Sequence, residues 1–396
     1  MRRSAWRFTI VATIGCASMS VLADEPADAT RDRASDFGQA TRTGTARFFD
    51  PDDGALDLSY FLEDPRGVLP VPIVVTEPAV GYGGGVVGMF LRPRREVGEE
   101  GWARPNISAV GGFGTENGTW GAFGGDSSRW LDGRIRTLVG GGAGRVNLDF
   151  FGLADRTSRG EGVRYSLDFT GAIAQVNAQL APKSPWALGV RYVFADVNPK
   201  LRDEPAFPGL VDRVRVKVSA PTLILEYDSR DNVFTPTRGV YAETSYLASR
   251  EGLGATVNYE RAEQLLIGWW PLRHDVTLAA YADYAWASGG TPFFLRPYVT
   301  TRGVPAVRYQ GDRVGSFEIE ARWQFSGRWS VVAFGGGGFA KTQRDQDSFS
   351  QGVGSGGVGF RYELASKFGL HAGIDVAHSP GTTAVYLVVG NAWFRP

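Results

Sequence analysis

An all-β fold, a 16-stranded antiparallel transmembrane β-barrel, is the class this sequence predicts, and three observations predict it. From about Gly81 onward apolar and polar residues alternate in segments of about nine to sixteen residues, the length a tilted strand needs to cross a bilayer. Glycine is abundant, at 53 residues, and Trp, Tyr and Phe contribute 11, 14 and 24. Close strand packing and tight turns use the first, and interfacial girdles the second. The longer connections (151–161, 197–212, 287–314 and 341–352) all follow odd-numbered strands, and most others are short, with 93–103 and 228–238 the exceptions. Sorting long loops to one end is a property of membrane barrels.

The N-terminus reads MRRSAWRFTIVATIGCASMSVLADEP. Arg2, Arg3 and Arg7 precede an apolar run from Phe8 to Leu22, and Val21 and Ala23 satisfy the small-residue rule for cleavage before Asp24. Residues 1–23 therefore read as a secretory signal peptide. Cys16 offers a lipoprotein alternative, but the preceding TIG lacks the usual aliphatic residue, which favours cleavage after Ala23. Cys16 is the chain's one cysteine, so the mature chain holds no disulfide or thiolate metal site. The 42 basic and 42 acidic residues balance, which gives no basic excess for nucleic acid. No segment is apolar enough for a membrane helix. An exported chain of this kind is periplasmic or an outer-membrane barrel, and the strand pattern selects the outer membrane of a Gram-negative bacterium.

Residues 24–70 form an N-terminal periplasmic segment, polar and aperiodic at first and thus partly disordered. Its second part, DPDDGALDLSYFLEDPRGVLPVP, either packs at the barrel mouth or enters the lumen. Asp50, Asp52, Asp53 and Asp57 around Gly54 resemble a calcium loop, but the spacing misses the EF-hand and no bidentate Glu follows. A turn and helix cap is the simpler reading.

The barrel spans 71–396, with strands expected at 72–76, 81–92, 104–113, 119–129, 133–150, 162–181, 186–196, 213–227, 239–250, 254–269, 275–286, 315–325, 328–340, 353–363, 367–376 and 383–394. The first is weakest, because Pro70 and Pro72 cannot donate to a ladder. The clearest is SFEIEARWQF, which places Phe317, Ile319, Ala321, Trp323 and Phe325 toward lipid and Glu318, Glu320, Arg322 and Gln324 toward the lumen. Trp269, Trp270, Trp329 and Trp393 stand near strand ends, as girdle residues should. Glycine-rich 81–88 has no following helix to hold a phosphate, so it reads as a closely packed strand.

No cofactor, metal or catalytic site is expected. A hydrolase needs a nucleophile, a base and an orienting acid. The chain offers only His274, His371 and His378 and no Gly-x-Ser-x-Gly elbow. His371, Asp375 and His378 have no clear ligand spacing.

Three stretches, LEYDSRDNVFTPTRGVYAE (225–243), TRGV (301–304) and the C-terminal VYLVVGNAWFRP, together resemble the bacterial surface antigen family, the outer-membrane barrel-assembly and translocator superfamily. The first is similar to its strand–turn–strand signature, matched by Asp228, Arg230, Asp231, Asn232, Pro236, Arg238 and Gly239. Thr301, Arg302, Gly303 and Val304, inside the arginine-bearing stretch YVTTRGVPAVRYQGDR, stand where the family carries Val-Arg-Gly-Phe/Tyr at the tip of its sixth outer loop. Gly390, Trp393 and Phe394 resemble its C-terminal β-signal, although Arg395 and Pro396 extend past it.

The resemblance implies that the loop folds into the barrel and that Arg302 pairs with acids on following strands, with Glu318 and Glu320 as candidate partners. Many members also have an Asp where this chain has Gly336, so one partner is missing, and Val304 replaces the aromatic. Larger members place POTRA domains before the barrel, and 24–70 has no room for one. The expected role is assistance in inserting or translocating protein or lipid at the outer membrane. Its expected partners are the lipid bilayer and a polypeptide substrate or envelope lipoprotein. A passive pore, or a structural barrel subunit of an envelope complex, is the alternative.

Overall fold

The computed structural model describes residues 48–63, 68–92, 106–150, 163–202, 215–344 and 347–393. The expected signal peptide (1–23), residues 24–47 and Phe394 lie outside them.

Sixteen antiparallel strands follow one another in sequence order around a single sheet. They are β1 (Val68–Val75), β2 (Gly83–Arg92), β3 (Asn106–Thr115), β4 (Trp120–Trp130), β5 (Ile135–Phe150), β6 (Val163–Gln179), β7 (Trp186–Leu201), β8 (Val216–Asp228), β9 (Gly239–Ser249), β10 (Tyr259–Arg273), β11 (Val276–Ala287), β12 (Arg313–Ser326), β13 (Trp329–Arg344), β14 (Asp347–Ala365), β15 (Leu370–Ser379) and β16 (Thr382–Val389). Each pairs only with its sequence neighbours, so every connection is a hairpin of the simplest topology. A short helix, α1 (Ser59–Glu63), precedes β1.

Alternation sets the faces as expected. In β12, Phe317 is 55% exposed and Glu318 is 1% exposed, and Ile319, Trp323 and Phe325 share the outer face. That face continues around the sheet with Val190, Leu223, Leu266, Val358 and Ile374. An unbroken apolar exterior around a polar interior is the inverse of a soluble protein and suits a hydrocarbon solvent.

Several expectations need correction. β7 runs on to Leu201, and β10 spans Tyr259–Arg273 rather than 254–269. β1 begins at Val68, and both prolines lie within it. β13 and β14 run to Arg344 and from Asp347, so most of the expected 341–352 loop is paired strand. β16 stops at Val389, five residues short of the expected 394. Trp269 is 3% exposed and lies inside, under Arg230, rather than in a girdle.

The sheet ends at β1 and β16, and no backbone ladder joins those two strands. This seam is where the barrel closes. Both seam strands are eight residues long, whereas β14 has nineteen.

Candidate functional site

The loop between β11 and β12 does not project outward. Its tip lies among lumen side chains because the charges carried by β12 face inward. Arg302 is held by the forward register of β12 and β13, which brings Glu318 opposite Gly336. Its Nε donates to Glu318 Oε1 at 2.8 Å, and its backbone N–H donates to Glu318 Oε2 at 3.1 Å. Nη2 lies 2.6 Å from Glu318 and 2.8 Å from Glu320. The Glu320 contact is an ion pair without hydrogen-bond alignment.

The third acid comes from β15. Nη1 of Arg302 donates to Asp375 Oδ2 at 2.6 Å, and Asp375 also accepts from Arg361 Nη2 at 2.9 Å. Asp375 thus supplies the carboxylate that Gly336 lacks. A side chain at Gly336 has no room, since its Cβ would stand 2.1 Å from the Phe317 carbonyl oxygen. The guanidinium plane lies 3.5 Å from the Phe334 ring centroid, which adds a cation–π contact on the face the carboxylates leave free. Buried charge is tolerated here because it is paired and hydrogen-bonded on several sides.

This gives a sharp expectation for Gly336→Asp. Placing an acid there forces β12 and β13 apart and lowers stability by about 1–3 kcal/mol, the scale of overpacking. Heat-modified electrophoretic mobility of the folded barrel would report it. An unchanged melting point would show that the strands can spread at no cost.

The rest of the tip docks on the last two strands. Gly303 has φ of +89°, which a side chain would strain, and its N–H donates to the Tyr386 hydroxyl at 2.6 Å. The Ser379 hydroxyl donates to the Gly303 carbonyl at 2.7 Å. Thr301 is buried, and Val304 packs with Val299, Val314, Ala340 and Val353. The small Val304 fits this cluster where the family carries an aromatic.

The turn between β8 and β9 meets the same cluster from the other end. Asp228 holds Arg230 in a fork, Nε to Oδ1 at 2.8 Å and Nη2 to Oδ2 at 2.7 Å, and Arg230 lies over Tyr241. Asp231 accepts the N–H groups of Thr237 and Arg238. Asn232 Oδ1 accepts those of Phe234 and Thr235, and its Nδ2 donates to the Phe368 carbonyl. Gly239 returns the chain with φ of +106°. The Pro236 carbonyl accepts from Arg322 Nη2 at 3.3 Å, so the turn reaches inward to β12.

The C-terminal residues also turn inward, at Gly390 with φ of +80°. Asn391 Nδ2 donates to the carbonyls of Val233 and Phe234 in the β8–β9 turn. Trp393 Nε1 donates to Glu318 Oε1 at 3.0 Å, and its ring stacks on Tyr281 at 5.6 Å. Trp393 is therefore a lumen residue and not a girdle residue. The three separated stretches meet in one cluster, with Glu318 touching both Arg302 and Trp393.

Sequence reasoning missed Asp375, Arg361 and Tyr386, all on the last three strands. Inward parity marks each as lumenal, but parity alone does not say which lumen residues meet across the barrel. Of the weighed metal residues, Asp375 serves Arg302 and Arg361, His371 faces the Gly369 carbonyl, and His378 faces Thr383.

The Asp50–Asp57 turn is occupied from within. Arg328, in the β12–β13 turn, donates to Asp53 at 2.6 Å, Asp57 at 2.8 Å and Asp50 at 2.5 Å. Asp57 also accepts the Ser59 N–H at the start of α1, and the Ser366 hydroxyl. The Leu58 N–H donates to the Leu364 carbonyl, and Lys367 sits over the Tyr60 ring. A guanidinium thus stands where a cation would, and residues 48–63 form a small clasp on the turns between β12 and β13 and between β14 and β15.

No protein-family model matches the sequence, and no curated protein does. Solved structures do match. BamA from Haemophilus ducreyi, in a crystal structure lacking POTRA domains 1–3, aligns with a TM-score of 0.51 and 11% identity over 81% of this chain and 68% of its own. CdiB from Escherichia coli gives 0.57 and 12% over 81% and 61%, and CdiB from Acinetobacter baumannii gives 0.53 and 11% over 79% and 55%. The chain therefore spans less than two thirds of either CdiB. At such identities the likeness establishes the fold: the barrel has the architecture of BamA and CdiB.

Proposed function

We propose that this barrel sits in the outer membrane and assists the insertion or translocation of a polypeptide, or of lipid, through its seam. One observation carries the reading. β1 and β16 share no ladder, and the seam is bridged by side chains near the end that carries the inward loop. Thr76 Oγ1 donates to the Val385 carbonyl at 2.7 Å. The loop tip supplies the other bonds: Ala306 N–H to Glu77 Oε1 at 2.9 Å beyond β1, and Gly303 N–H to Tyr386 on β16. The Arg302 cluster that holds the tip thereby holds both sides of the seam.

Strand length supports the same reading. Eight residues at about 3.3 Å each, tilted by about 40°, cover roughly 20 Å of a hydrocarbon layer about 30 Å thick. Lipid next to the seam is compressed, which lowers the cost of passing polar groups there. Pro70 and Pro72 remove two donors from β1, so a full ladder with β16 is harder to form.

The clasp adds a third restraint. It fastens the segment before β1 onto the β12–β13 and β14–β15 turns, on the β16 side of the seam. Burial alone would raise the Asp57 carboxyl, but hydrogen bonds from Ser366, Ser59 and Arg328 outweigh it and hold the group below its usual value. A depressed carboxylate contributes its full stability above the unfolded pKa of about 4 and loses it as pH falls through the lower folded value. The clasp is therefore expected to hold at neutral pH and release only below about pH 4. Arg328→Ala should release it at neutral pH, read as protease cleavage within 48–63. Release of the native chain near pH 6 would mean that something other than these carboxylates holds it.

The functional test is reconstitution in vesicles with an unfolded outer-membrane barrel as substrate. Faster substrate folding than in empty vesicles supports the proposal. A large, steady conductance in planar bilayers that is unchanged in Arg302→Ala, with no effect on substrate folding, supports the passive pore instead.

A further inference from the structure

The lumen contains a cavity of about 500 Å³ between the inward loop and the wall formed by β1 to β10. Its size lies within the usual range of small-molecule sites. Its lining is unusual for a barrel interior, which is normally polar and wet. Val80, Val146, Leu148, Val193 and Leu247 form an apolar wall on one side, opposite polar and charged side chains that also line it. A cavity with one apolar side and one polar side suits an amphiphilic occupant, its apolar part displacing water from the valine and leucine wall.

Three buried polar atoms on this cavity lack hydrogen-bond partners: Glu77 Oε2, the Thr222 hydroxyl and Arg261 Nε, the last on a side chain already paired with Glu263. Glu77 is 6% exposed, and its Oε1 accepts the N–H groups of Ala306 and Ala79, while Oε2 accepts nothing. Thr222 is 3% exposed, and its hydroxyl is likewise unpartnered. An unmet carboxylate oxygen at the edge of an apolar chamber costs free energy that a donor from a ligand would recover.

We infer that this cavity is a binding site for a small amphiphile, with an apolar body against the valine and leucine wall and a protonated amine on Glu77 Oε2. The amine is preferred to other donors because no cation pairs with Glu77 among its described contacts. Burial raises the Glu77 carboxyl to about 7. The other charged or titratable groups facing it or the cavity are Tyr298 of the loop, Tyr386 of β16, Arg191 of β7, whose Nε donates to Gln175, and Arg261 and Glu263 of β10, which pair with each other. Amine binding needs the ionised form, so affinity falls by about tenfold per pH unit below about 7. This inference does not depend on the seam opening.

The test uses n-decylamine and decanoate, titrated separately against the full chain in lipid nanodiscs, with partition into the lipid subtracted using empty discs. The expected result is saturable binding of one decylamine per chain, with decanoate weaker by at least about tenfold. Glu77→Gln, which keeps the acceptor for Ala306, should remove the preference for the amine while leaving the fold intact. Val193→Trp fills the chamber and should abolish binding of both. Absence of saturable binding, or binding unchanged in both variants, would overturn the inference. If Val193→Trp fails to fold, the Glu77→Gln comparison decides alone. Loss of ligand binding with substrate folding still accelerated would leave the seam reading standing, and the reverse would leave this one.

Discussion

Arg302→Ala frees the loop tip from the barrel wall and raises its open population by about a hundred- to several-thousand-fold. The magnitude comes from what stays behind. Removing one partner of a buried ion pair costs about 3–5 kcal/mol, because the remaining charge is buried without compensation. Asp375 keeps Arg361, so the uncompensated charge falls on Glu318 and Glu320. Trp393 satisfies only part of Glu318. The readout is thiol labelling of Val304→Cys in a Cys16→Ser background, since Val304 is buried at the docked tip. Labelling should be slow in the parent and fast with Arg302→Ala. Arg302→Lys should fall between, because an ammonium keeps the charge but cannot span three carboxylates with a planar fork. Adding Glu318→Gln to Arg302→Ala should recover part of the loss, as coupled sites do. Equal labelling rates in the parent and Arg302→Ala would remove Arg302 as the anchor.

Much of this anchor was legible in the sequence, and the part that was not has a physical reason. Period-two alternation places Glu318 and Glu320 on the lumen side of β12, next in the chain after the loop, so their meeting with Arg302 follows from local geometry. Asp375 lies 73 residues from Arg302 on β15. Its arrival depends on the registers of β12 through β15 together, and a shift of one residue in any of them would turn it away. Alternation gives a face but carries no information on accumulated register. Trp393 failed for a different reason. Its aromatic character suits either an interface or a lumen, and the left-handed turn at Gly390 decides between them. The turn and helix cap at Asp50–Asp57 were legible, but their partner was not, because an acidic turn looks the same whether a metal or Arg328 neutralises it. Strand number was robust because each strand carries its own signal, independent of the others.

Covalent closure of the seam should abolish any acceleration of substrate folding, returning the rate to that of empty vesicles. The seam is weak enough for this to matter. With the clasp released, one direct bond and one bridge through the loop tip, whose two bonds act in series, give at about 1 kcal/mol each a closing free energy of about 2 kcal/mol, hence an open fraction of a few per cent. An eight-residue ladder would add several times that and leave almost no open state. Thr76→Cys with Val385→Cys, in a Cys16→Ser background, places one thiol on each side of the seam, at two residues joined by the Thr76 hydroxyl to Val385 carbonyl bond. A short cleavable thiol crosslinker should stop activity, and cleavage should restore it. The matched control joins Leu225→Cys to Thr244→Cys, a pair already in register between β8 and β9, and should change nothing. The crosslink should also override Arg302→Ala, because the loop acts on the seam from within and cannot open what is covalently closed. Full activity in the crosslinked chain would sink lateral opening, since a route that ignores the β1–β16 edge has no use for the weakest line in the wall.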